Sequence, residues 1–153
     1  MIKYEHITLK YDGKEILRDF NLDISESEIV LLYGKSGIGK TSLFKLLLGF
    51  IEPIKGKVYF DNKSITPDIA WEIRKKVTYI PQTLDMGDII VKDFMNDIFE
   101  IKVNKDIEID KEKLNSLLEY FELDEEKLYK SMTQVSGGEK RRILLIIGIL
   151  LKR

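Results

Sequence analysis

The 153-residue sequence contains no cysteine and a single histidine. Without cysteine, neither a disulfide framework nor a thiolate metal site can form. Because no second histidine lies near His6, we interpret it as a strand residue rather than a metal ligand or a catalytic base. The longest apolar run, residues 143–151, is too short to cross a bilayer. Residues 1–6 lack the apolar segment of a signal peptide, so we expect a protein on the cytoplasmic side of the membrane.

The sequence also lacks a strong excess of either charge, with a formal net charge of −1. This balance gives no general attraction to nucleic acid, and we expect no direct nucleic-acid partner. Hydrophobic residues make up 44% and charged residues 33% of the chain. These proportions exclude a disordered segment and indicate one globular domain with a buried core.

One motif organises the chain, the segment Gly34–Thr41, which fits G-x-x-x-x-G-K-[ST]. The apolar run at residues 29–33 precedes it and predicts a buried parallel strand. Residues 41–48 follow it, with leucines at helical spacing. A strand, a glycine loop and a helix in this order are typical of a phosphate-binding loop.

In such a loop, backbone N–H groups and the positive end of the helix dipole face the phosphates. We expect Lys40 to lie on the β- and γ-phosphates and the Thr41 hydroxyl to bind Mg²⁺. The predicted nucleotide-binding residues of this motif are Gly34, Lys35, Ser36, Gly37, Ile38, Gly39, Lys40, Thr41 and Ser42.

The N-terminal third reads as β structure. Apolar residues alternate from Ile2 but change phase near Glu5 and His6, which predicts a bulge there. Asp12-Gly13 is typical of a turn. Residues 57–60 and 77–80 predict two further strands.

The remaining elements read as helices. Thr66 is the predicted N-cap of a helix that begins at Pro67. From residue 89 to residue 142 the sequence is helical and charged, with Asp110 as a predicted N-cap and Asp124 as the cap of a short helix. The chain shows neither internal repeats nor sustained heptads.

The second informative segment is Val135-Ser136-Gly137-Gly138-Glu139. Ser136 and Glu139 form an S-x-x-E capping box, which predicts a helix through residue 151. Gly137 and Gly138 allow close approach to the backbone of the first turn. Taken alone, the segment is equally compatible with an ordinary capped helix start.

The order of these segments resembles the ATP-binding cassette (ABC) ATPase family, over essentially the whole chain from Tyr11 onward. Residues 34–41 match its Walker A motif, and Gln82 falls where the family has its Q-loop glutamine. Residues 135–139 resemble its L-S-G-G-Q signature, with Val for Leu and Glu for Gln. Tyr11 falls where the family has an aromatic residue that stacks on adenine.

The resemblance implies an α/β fold, a P-loop NTPase core with an N-terminal antiparallel β subdomain and a helical subdomain. It places the β subdomain and core at residues 1–82, the helical subdomain at 83–134 and the signature helix at 135–153. It implies ATP and Mg²⁺ as cofactors, with Lys40 and Gln82 as catalytic residues and Thr41 and Gln82 near the metal. Ser136, Gly137, Gly138 and Glu139 would face the nucleotide of a second domain.

The resemblance also implies partners. Two nucleotide-binding domains, identical or different, would bind head to tail around ATP and act on transmembrane permease subunits. The chain would then be peripheral on the inner face of the cell membrane, as the ATP-binding subunit of an ABC transporter or a fragment of that subunit.

The family also has a Walker B Asp, a catalytic Glu and a switch His, and we find no counterpart in these 153 residues. Segments 107–110 and 121–125 end in acidic residues but do not follow an uninterrupted apolar run. We therefore expect the chain alone to be nearly inactive as an ATPase. The strand at 29–33 would lack a neighbour, so we also expect reduced stability or self-association.

Two alternatives stay open: a soluble ABC ATPase without a transport role, and a nucleotide-binding fragment that does not hydrolyse ATP. A DNA-repair type would carry a long coiled coil, and a ribosome-acting type usually repeats the cassette. Small P-loop kinases and GTPases are disfavoured, since residues 135–139 have no role in them.

Overall fold

The computed structural model describes residues 1–153, which divide into two compact units, Met1–Arg74 and Lys75–Arg153. The elements of the N-terminal unit are β1 (Ile2–Tyr11), β2 (Lys14–Ile24), α1 (Lys40–Leu47), β3 (Lys55–Phe60), β4 (Lys63–Ser64) and α2 (Pro67–Arg74). The elements of the C-terminal unit are α3 (Val91–Glu100), α4 (Lys111–Tyr120), two 3₁₀ helices (Glu125–Tyr129 and Met132–Gln134) and α5 (Gly137–Leu150).

The N-terminal unit is built on a four-stranded antiparallel sheet in the order β2-β1-β3-β4. Helix α1 packs its buried leucines on this sheet, and the Tyr4 hydroxyl donates to the Leu43 carbonyl at 2.9 Å. Burial raises the pKa of the Tyr4 phenol well above its ordinary value. The core residues of this unit are Tyr4, Ile7, Leu9, Leu17, Leu43, Leu46, Leu47 and Val58.

The predicted bulge in β1 is confirmed. Tyr4 pairs with Leu22 on β2, but the next pair is Ile7 with Phe20. His6 adopts a left-handed backbone there (φ +52°). Gly56 in β3 lies opposite the bulge, and a Cβ at this glycine would stand 2.3 Å from the Glu5 carbonyl oxygen. Only a glycine fits this close backbone approach.

The C-terminal unit is helical, and its core gathers residues from every helix of the unit. Its buried residues are Val91, Met95, Phe99, Leu118, Leu123, Leu128, Met132, Val135, Ile143, Ile146, Ile147, Leu150 and Leu151. Asp110 caps α4 as predicted, accepting from the Lys113 N–H at 3.0 Å. The segment after Asp124 forms the predicted short helix as a 3₁₀ helix, although the Asp124 side chain makes no capping hydrogen bond.

Two predicted strands are wrong. Residues 29–33 form no strand, and Ile29, Leu31 and Tyr33 are 99%, 86% and 95% exposed. Residues 77–80 likewise form no strand. A strand forms only where a neighbour supplies ladder hydrogen bonds, and every strand pair in this structure lies within the antiparallel sheet. The apolar pattern identified segments whose composition suits a strand, but it does not show whether a neighbouring strand is present to form hydrogen bonds with them.

Candidate functional site

The glycine loop lies directly before α1 and beside β2. Gly37 and Gly39 have left-handed backbones, with φ of +81° and +106°. A Cβ at Gly39 would stand 2.8 Å from the Ile16 Cγ2 of β2, so a side chain there would collide with the sheet. A Cβ at Gly37 would meet nothing within 4 Å, so this part of the loop is open to a ligand. These backbone conformations let N–H groups turn toward one side of the loop.

Helix α1 begins at Lys40 without a side-chain cap, because its N-cap residue is Gly39. No acidic residue lies in its first turn. The first N–H groups of a helix have no acceptor within the helix and carry the positive end of its dipole. An anion such as a phosphate is the group that this helix start can accept.

The Lys40 ammonium lies over the loop that precedes it. Its Nζ donates to the carbonyl oxygens of Gly34 and Lys35, both at 2.8 Å. These contacts hold the positive charge of Lys40 beside the first two residues of the loop. Thr41 is exposed and Ser42 is half-buried on the first turn of α1. Ammonium, hydroxyl and backbone N–H groups are the donor set that Mg²⁺-bound polyphosphate needs.

Tyr11 lies at the end of β1, in the same unit as the glycine loop. It pairs with Lys14 across the Asp12-Gly13 turn, and the residue is 64% exposed. An exposed ring at a hairpin end has a free face for stacking on a planar ligand.

The second predicted anion site lies at the start of α5. The Ser136 hydroxyl accepts from the Glu139 N–H at 3.3 Å, and the Glu139 carboxylate accepts from the Ser136 N–H at 2.8 Å. The predicted capping box is therefore present. A Cβ at Gly137 or Gly138 would meet nothing within 4 Å, so the outer side of this turn is open.

Glu139 also forms an ion pair that the sequence does not predict. Its Oε1 lies 2.7 Å from Lys127 Nζ, on the first 3₁₀ helix, and the two side chains are only 17% and 22% exposed. The Lys127 ammonium, followed by the Ser136 side chain and N–H, lowers the pKa of the Glu139 carboxyl to about 2. The same hydrogen bond raises the pKa of Lys127. Both groups are therefore charged at neutral pH.

Gln82 is exposed and lies in the C-terminal unit with the start of α5. Its main-chain carbonyl accepts a hydrogen bond from Arg141 Nη2 at 3.1 Å. The structure thus links the segment of Gln82 to the signature helix through Arg141. Sequence reasoning missed Arg141 and Lys127, because nothing in their spacing indicates which chain segment either cation contacts.

Comparison with known proteins identifies the family. The family model described as ABC transporter matches residues 17–153. The chain belongs to the ABC transporter family. The resemblance and the fold class predicted from the sequence are confirmed. Tyr11 lies outside the matched residues.

Individual members of the ABC transporter family resemble the chain over nearly its whole length. A carnitine transport ATP-binding protein, OpuCA, of Listeria monocytogenes is 32% identical over 146 residues, covering 94% of this chain and 36% of that protein. The structure of cbiO1 from Clostridium perfringens, part of the ABC transporter complex cbiONQ, superposes with a TM-score of 0.75 at 22% identity. It is matched over 99% of this chain and 61% of its own. The chain therefore spans between about a third and two thirds of these ABC proteins.

A third ABC structure is a dimeric post-hydrolysis state of the cassette MJ0796 bound to ADP and Pi. It superposes with a TM-score of 0.74 at 23% identity, over 98% of this chain and 69% of that chain. No helix of the present structure has both the length and the apolar character needed to cross a membrane.

Proposed function

We propose that this chain is the ATP-binding part of the ATPase subunit of an ABC transporter. The observation that carries the proposal is the glycine loop. The left-handed glycines, the uncapped start of α1 and the Lys40 ammonium all belong to this loop and the helix start that follows it. That combination binds a polyphosphate through backbone N–H groups, a helix dipole and a point charge.

Within this proposal each site residue has a role. Residues 34–42 hold the phosphates, and Lys40 neutralises the β- and γ-phosphate charge. The Thr41 hydroxyl would bind Mg²⁺, and the ion would neutralise charge on the phosphates. Gln82, in the C-terminal unit, is proposed separately as a metal-binding residue. No group of three or more His, Asp and Glu side chains lies together in the chain, so the phosphates and water would complete the metal's shell. The exposed ring of Tyr11 stacks on the base.

The partners follow from the open turn at α5. It has two glycines and a helix start, and the Lys127 ammonium beside it is paired with Glu139, so it suits a phosphate already held by another loop. We infer a head-to-tail pair of nucleotide-binding domains, in which residues 136–139 face the nucleotide of the partner. The dimeric cassette among the matched structures supports this arrangement. A transmembrane permease would hold the pair at the inner face of the membrane.

In this arrangement residues 1–82 supply the β subdomain and the P-loop core. Residues 83–134 supply the helical subdomain, and residues 135–153 supply the signature helix. The names of the relatives, such as the carnitine transport protein, favour transport over a role without a membrane partner.

ATP hydrolysis is the reaction of the ABC ATPases. For these 153 residues alone we propose very slow turnover. Orienting the attacking water requires a carboxylate, and the acidic residues at 107–110 and 121–125 lie in the charged helical region rather than after an apolar strand. By itself, this chain would then bind and release the nucleotide with little hydrolysis.

Titration of the chain with a fluorescent ATP analogue and Mg²⁺ tests the proposal. Lys40→Met should weaken binding by about 1.5–3 kcal/mol, because it removes one charge-assisted contact to phosphate. Lys45→Met is the matched control, since Lys45 is an exposed lysine in the last turn of the same helix. Equal affinities for the unsubstituted chain and Lys40→Met would refute the proposal.

A further inference from the structure

The carboxylate of Glu139 occupies a position where a negative charge should oppose the proposed function. It lies in the first turn of α5, where residues 136–138 expose their backbone to a ligand. A carboxylate stabilises a helix start by itself, but it repels a phosphate that approaches the same turn. The family signature has a neutral glutamine at this place, so the charge needs compensation.

Both oxygens of the Glu139 carboxylate are engaged within the chain. Oε2 accepts from the Ser136 N–H at 2.8 Å, and Oε1 lies 2.7 Å from the Lys127 ammonium. Because both side chains are largely shielded from water, the ion pair is screened less than a fully exposed pair. The Lys127 ammonium therefore neutralises the charge of the Glu139 carboxylate.

Lys127 is held near Glu139 by its own element. It lies in the 3₁₀ helix Glu125–Tyr129, and the neighbouring Leu128 is buried in the core of the C-terminal unit. The other charges that act on the Lys127 ammonium are those of Asp124 and Arg142. Arg142 donates to the carbonyl oxygens of Phe121 and Glu122.

We propose that Lys127 is a positioning residue for nucleotide binding between two chains. It neutralises and orients Glu139, so that the start of α5 can approach the polyphosphate held by the partner chain. The inference rests on the proposed function. Paired with Lys127, Glu139 would carry no net charge toward a phosphate, like the neutral glutamine at this position of the family signature.

Self-association of the chain driven by Mg²⁺ and ATP, followed by sedimentation velocity, tests this role. Lys127→Met should weaken the association by about tenfold, the effect of one uncompensated, partly screened charge near a phosphate. In a Glu139→Gln background the same substitution should change it less than about twofold, because no carboxylate remains to be neutralised. Lys127→Arg should retain the association.

Two further measurements separate the explanations. Lys130→Met is the matched control, since Lys130 is a nearby lysine without an ion pair in the structure. Thermal unfolding of every variant shows whether a loss of association comes from misfolding. An equal loss from Lys127→Met in both backgrounds would mean a purely structural role and would overturn the inference.

The outcomes also separate this inference from the proposed function. Failure of the dilute, monomeric chain to bind the fluorescent ATP analogue would refute the proposed function itself. If the chain binds nucleotide but Lys127→Met associates as well as the unsubstituted chain, the inference alone is overturned. Absence of association in the unsubstituted chain despite bound nucleotide would also overturn it.

Discussion

The guanidinium of Arg141 donates a hydrogen bond to the main-chain carbonyl of Gln82 at 3.1 Å. This contact joins the exposed segment after Pro81 to the second turn of α5. A side-chain hydrogen bond therefore connects the two predicted site segments of the C-terminal unit.

Arg141→Ala should loosen the Gln82 segment without unfolding the protein. Both partners are exposed, so the global free energy of unfolding should fall by less than about 1 kcal/mol. Amide hydrogen exchange at residues 82–84 should become faster, because the segment loses its tether to α5. Lys140→Ala, which alters the preceding residue of the same helix, serves as the control. Unchanged exchange at these amides in Arg141→Ala would show that the hydrogen bond does not restrain the segment.

Gly148→Ala should destabilise the C-terminal unit. A Cβ at Gly148 would stand 2.4 Å from the Thr78 Oγ1 and 2.8 Å from its Cγ2, so α5 and the segment of Thr78 would have to separate. Overpacking of this kind costs about 1–3 kcal/mol. Urea unfolding measures the loss.

The matched control is Gly138→Ala in the first turn of the same helix, where a Cβ meets nothing within 4 Å. Alanine favours the helix, so this variant should be at least as stable as the unsubstituted chain. Thr78→Ala should recover part of the loss in Gly148→Ala. Equal stability of the two alanine variants would contradict the close packing at Gly148.

The ion pair of Glu139 should make stability depend on acidic pH. Its folded-state pKa is about 2, below the ordinary value of 4.5 that an unfolded chain would have. The stabilisation is therefore fully present above about pH 4.5 and is lost as the pH falls toward 2. Urea unfolding of the unsubstituted chain and Glu139→Gln should give a difference in stability that is constant near neutral pH and shrinks over that window. A difference that stays the same from pH 7 to pH 2 would refute the lowered pKa.

Much of the local structure was predictable from the sequence because the responsible interactions are local. A phase change in the alternation near His6 predicted the bulge, and the side chains of Thr66, Asp110 and Ser136 accept from the N–H groups that an N-cap should satisfy. Such signals span only a few residues, so they can be recognised in the sequence without knowledge of the tertiary fold.

The features that were predicted wrongly or missed share a different cause, since each depends on contacts with residues distant in the sequence. Residues 29–33 have the composition of a buried strand, yet a strand also needs a hydrogen-bonded neighbour on its edge. The contacts of Lys127 with Glu139 and of Arg141 with Gln82 join segments 12 and 59 residues apart. Neither contact produces a periodicity or a motif that could be read from one sequence.

The central claim is that the Gly34–Thr41 loop binds the phosphates of ATP through its backbone. Two-dimensional ¹H–¹⁵N NMR spectra of the chain during titration with Mg²⁺ and ATP test it most directly. The amide signals of Gly37, Gly39, Lys40 and Thr41 should shift most, since their N–H groups would donate to phosphate oxygens. The same titration of Lys40→Met should need about tenfold or more nucleotide for equal shifts. Shifts confined to residues outside the loop, or none at saturating nucleotide, would contradict the account.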